Sequence, residues 1–105
     1  MSVAILIKFK APDREELYIP VAAQGVYSTE WVPMARKLGL QWLPLFRTGS
    51  PVDVEDLPIV VDEIRQLRAA LSVDPRKAAL LERIDFILEA LDEVKLEEIA
   101  SVFIG

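Results

Sequence analysis

The twenty residues 27–46, YSTEWVPMARKLGLQWLPLF, hold both tryptophans, one of the two tyrosines and two of the seven prolines. Their periodicity predicts a helix followed by a strand. Trp31, Met34, Ala35 and Leu38 recur at three- and four-residue spacing, the signature of one buried helical face. Ser28 and Thr29 offer side-chain oxygens to cap a helix beginning at Glu30, and Pro33 is tolerated in a first turn. Gly39 ends the helix as a left-handed cap, with Leu40 folding back on Met34 or Ala35. The run LQWLPLF (40–46) then reads as a strand whose Pro44 argues for an edge or a kink. Trp31 and Trp42 are both expected in the core.

Toward the N-terminus, residues 3–10 read VAILIKFK. Ile5, Ile7 and Phe9 share one face and Lys8 and Lys10 the other, as in a central strand. APDREE supplies turn chemistry, and LYIPVAA (17–23) is a second strand that Pro20 confines to an edge or a bulge.

Toward the C-terminus, RTGSPVDVED (47–56) reads as a loop that ends in Asp56 as a helix cap. LPIVVDEIRQLRAAL follows, with apolar residues at 57, 60, 61, 64, 67 and 71. Arg68 falls inside that apolar arc, where a long side chain either snorkels to solvent or meets a carboxylate such as an acid of the next helix. Asp74 and Pro75 restart a helix to about Asp92, with Leu80, Leu81, Ile84, Ile87, Leu88 and Leu91 on one side. So short a connection implies a helical hairpin. IASVFIG closes the chain as a strand expected beside the first. The sum is one α+β domain spanning 1–105, two-layered, in the order β-β-α-β-α-α-β, with a small mixed or antiparallel sheet and helices mainly on one face.

Composition narrows the chemistry. The 105 residues include no cysteine and no histidine, so disulfides, thiolate chemistry and imidazole bases are absent, and the reading is of a non-enzyme without a cofactor. The short apolar N-terminal run lacks signal-peptide features, and no apolar stretch nears membrane-spanning length, so the expected location is cytoplasmic without membrane contact. Residues 1–52 carry 6 basic and 4 acidic side chains, and residues 53–105 carry 6 and 13. That distribution repels phosphate and argues against nucleic acid.

Three clusters remain as candidate sites. On the last helix Glu82, Asp85, Glu89, Asp92 and Glu93 form a continuous acidic arc opposite the leucines, with Phe86 on its flank. This pattern suits docking of a basic protein partner or a second copy of the chain. Tyr18, Tyr27, Ser28, Arg36 and Arg47 form an alternative pocket for a small anion, in a binding protein or minor enzyme. Asp53, Glu55 and Asp56 lack the ligand series of a calcium loop, and no metal is expected. Size and acidity are similar to those of immunity proteins and accessory or regulatory subunits, with no shared motif.

Overall fold

The unbroken apolar run at residues 3–7 belongs to a strand that meets apolar neighbours on both faces. In the computed structural model, which describes residues 1–105, β1 (Ser2–Phe9) lies between β2 (Leu17–Ala23) and β4 (Ile99–Ile104). The short β3 (Ser50–Val52) pairs with the other side of β4, completing an antiparallel sheet of order β2-β1-β4-β3. Val3, Ile5 and Ile7 point into the core with Ile19, Val102 and Ile104, while Ala4, Leu6 and Lys8 point the other way.

Both sheet edges carry a proline. Val3 pairs with Ala22 and Ala4 with Pro20, so Val21 is the extra residue of a bulge beside Pro20 in β2; Pro51 sits mid-way along three-residue β3. A missing donor together with a kink or a short strand leaves neither edge a continuous ladder for another strand.

The first helix differs from its expected start. α1 runs over residues 24–37, and a wide π turn at Tyr27–Trp31 separates its two α segments, Gln24–Val26 and Val32–Lys37. Ser28 and Thr29 therefore lie inside the helix and cap nothing; the Thr29 hydroxyl instead donates to the Gly25 carbonyl at 2.8 Å. The Gln24 N–H is satisfied by the Met1 carbonyl at 3.1 Å, so the sheet itself holds the helix start. Pro33, expected in a first turn, sits mid-helix just after the π turn, in which the Val32 N–H reaches back to the Tyr27 carbonyl. Widening the turn relieves the crowding a proline ring imposes one turn back. The C-terminus is as expected: Gly39 has φ 73°, and the N–H of buried Leu40 donates to the Ala35 carbonyl at 2.9 Å.

LQWLPLF is not a strand. Leu43–Arg47 is a 3₁₀ turn, and the third strand comes instead from Ser50–Val52, inside the stretch expected to be loop. Buried Leu40, Leu43 and Phe46 are spaced by three, the 3₁₀ period, and Pro44 fits its first turn. The decisive partner is Glu63, 7% exposed, from the next helix. Its carboxylate accepts the N–H groups of Gln41 (3.3 Å), Trp42 (3.0 Å) and Leu43 (3.1 Å), which an isolated 3₁₀ turn would leave unpaired.

The remaining helices, α2 (Leu57–Leu71) and α3 (Ala78–Asp92), fold back on one another as a hairpin beneath the sheet. Asp56 does not cap α2, because a 3₁₀ turn at Val54–Asp56 already precedes it. Asp74 does cap the lead-in to α3, accepting the Arg76 N–H at 2.9 Å. The helices cover one face of the sheet only, the two-layer α+β arrangement expected, and no helix is long and apolar enough to cross a membrane.

Candidate functional site

α3 buries Ile84, Ile87 and Leu91 and turns its opposite side to solvent. On that side the acidic arc divides. Asp85 is taken by Arg68 of α2, whose Nε and Nη2 donate to its two oxygens at 2.5 and 3.2 Å. Of the two expected fates of Arg68 this is the pairing with an acid of the next helix, and it holds the Asp85 carboxyl below the usual carboxylate range while raising the guanidinium pKa. Glu82, Glu89, Asp92 and Glu93 remain exposed and form no ion pair.

Phe86 stands beside them on the flank of the arc, 50% exposed, with a shallow hollow on either side. One, ≈ 510 Å³, is walled by Glu89, Ala90, Asp92 and Glu93; the other, ≈ 420 Å³, by Ala79, Glu82 and Arg83. The Arg83 guanidinium lies 5.7 Å from the Phe86 ring centroid. Glu89, Asp92 and Glu93 crowd the C-terminal end of α3, where the helix dipole is negative and no basic residue occupies the last turn. Acids there work against helix stability, and folding alone gives no reason for them.

The alternative set does not converge. Tyr27 is inside the core: its hydroxyl donates to the Leu43 carbonyl at 2.6 Å and its ring stacks on Trp31 at 5.2 Å. Burial pushes its phenol pKa up, and the charge of Glu63 adds to the shift. Tyr18 lies beyond the sheet, on the face opposite the helices. Ser28 is partly buried within α1; Arg36 and Arg47 are exposed at the ends of separate elements. Asp53, Glu55 and Asp56 do not gather into a metal-holding group, and no such group occurs elsewhere.

Sequence reading missed three features. Glu63 lies in the apolar stripe of α2, three residues after Val60 and four before Leu67, and that spacing could have singled it out as it did Arg68. On the uncovered sheet face Tyr18, Leu6, Phe103 and Pro51 pair in sequence across all four strands, a row visible only once the register is known. The Phe103 ring in this row lies over Gly49 and Gly105. Finally, Val21, Val26, Leu80 and the cations Arg76, Lys77 and Arg83 meet in a cleft of ≈ 470 Å³ where α3 begins. Of the tryptophans, Trp31 is buried as expected, its indole N–H without an acceptor, whereas Trp42 is only half-buried and stacks on Phe46 at 6.2 Å.

Neither protein-family models nor comparison with curated proteins and solved structures yields a match to this chain.

Proposed function

We propose that this chain is a non-catalytic protein-binding module that docks a basic partner on the exposed face of α3. The observation that carries this reading is Phe86, half exposed between two hollows and beside four carboxylates that form no ion pair within the chain. An exposed aromatic supplies the apolar anchor of an interface, and unpaired acids around it select positive charge and speed encounter. Support for a non-catalytic role comes from the interior: the buried ionisable side chains, Glu63 and Tyr27, are both engaged with backbone groups of residues 41–43.

The test is affinity capture from lysate of the source organism at about 50 mM salt, stepped to about 500 mM, with wild-type and Phe86→Asp baits side by side. A basic protein held by the wild type, lost from the variant and released by salt supports the proposal. Equal retention on both baits, or no partner for a monomeric wild type, removes it.

A further inference from the structure

We propose that the cleft between the β2–α1 junction and the start of α3 binds a small organic carboxylate carrying a short apolar body. The hollow, ≈ 470 Å³, falls within the roughly 300–1,000 Å³ typical of small-ligand sites. Val21, Val26 and Leu80 give it an apolar floor, and Glu30, Arg76, Lys77 and Arg83 are its charged groups. Three cations against one acid leave a lining of +2 in a chain whose net charge is −5. Two of the cations are engaged: Lys77 with Glu30 and Arg76 with Asp74. Arg83 has no carboxylate partner. It also lines the adjoining hollow along Pro20 and Ala22.

A planar fork of donors beside an apolar floor matches a carboxylate with a short acyl or aryl tail, the head on Arg83 and the tail on Val21 and Leu80. Within the same cleft, the Glu30 carboxylate holds Lys77 and competes with any incoming anion. The cleft adjoins the acidic surface, since Ala79 and Arg83 line both it and the hollow beside Phe86, but its ligand chemistry is the opposite one.

Titration of the labelled protein followed by backbone-amide NMR tests the proposal, with octanoate as the probe, acetate as head alone and 1-octanol as tail alone. Octanoate is expected to give saturable shifts at Ala22, Ala23, Val26 and Leu80 with a Kd on the order of 1 mM or tighter, and each half-molecule to bind about tenfold more weakly. Arg83→Gln, at an exposed position, should weaken octanoate about tenfold with the rest of the spectrum unchanged. Glu30→Gln should strengthen it several-fold by freeing Lys77. The proposal is overturned by shifts that do not saturate by about 10 mM, by shifts centred on Leu6 and Phe103 instead, or by undiminished affinity in Arg83→Gln.

Discussion

The Leu43 N–H donates to Glu63 Oε1 at 3.1 Å, twenty residues away in sequence, and with the Trp42 N–H it ties a 3₁₀ turn to the middle of α2. Glu63→Ala would leave those buried donors unpaired. The expected loss is about 2–3 kcal/mol, with Glu63→Gln milder because one oxygen can still accept. Urea unfolding measures it, and a change below about 0.5 kcal/mol would show that water replaces the cap.

Leu43 is held from its other side by the Tyr27 hydroxyl. Tyr27→Phe should cost about 1–1.5 kcal/mol at neutral pH. The alkaline limb should change too. A phenol whose pKa is raised on folding keeps its proton in the native state after the unfolded chain has begun to lose it. Its contribution is therefore complete below about pH 10 and declines as pH rises further. Thermal unfolding of wild type and Tyr27→Phe across pH 8–11 should show the stability difference narrowing above about pH 10; a constant difference would contradict the burial of this group.

Two glycines should respond to alanine with opposite signs. Gly25 is helical, and a Cβ there meets nothing within 4 Å, so Gly25→Ala should add about 0.5–1 kcal/mol. Gly49 has φ 93°, and a Cβ would lie 2.9 Å from Phe103 Cζ, so Gly49→Ala should cost about 1–3 kcal/mol. Matched melting curves decide both.

Phe86 and Ile87 are neighbours with different expected roles. Phe86→Asp should cost no more than about 1 kcal/mol, largely like-charge repulsion from Glu82 and Glu89, whereas Ile87→Ala, at a fully buried site, should lose about 2–4 kcal/mol. Comparable losses would place Phe86 in the core and remove the anchor of the proposed interface.

Much of the architecture was legible because it rests on local periodicity. The stripes of α2 and α3, the Asp74 cap, the Gly39 cap and the apolar terminal strand each depend on residues within a few turns of one another. Pro20 called for an edge or a bulge, since a missing donor has few tolerated places in a sheet, and β2 has both. Of the acidic arc, all but Asp85 remained free on the surface; its pairing with Arg68 could be expected in kind but not by name.

The stretch YSTEWVPMARKLGLQWLPLF marks where local signals ended. Sequence alone determined that it carries core residues and that its helix stops at Gly39, because those depend on side-chain size and on one backbone conformation. Tertiary structure decided that the helix starts at Gln24, that Pro33 rides behind a π turn and that LQWLPLF coils. The groups that fix the first and last of these, the Met1 carbonyl and the Glu63 carboxylate, lie about twenty residues away along the chain. Backbone donors must be satisfied wherever an acceptor is brought to them, and only the folded chain brings these two within reach.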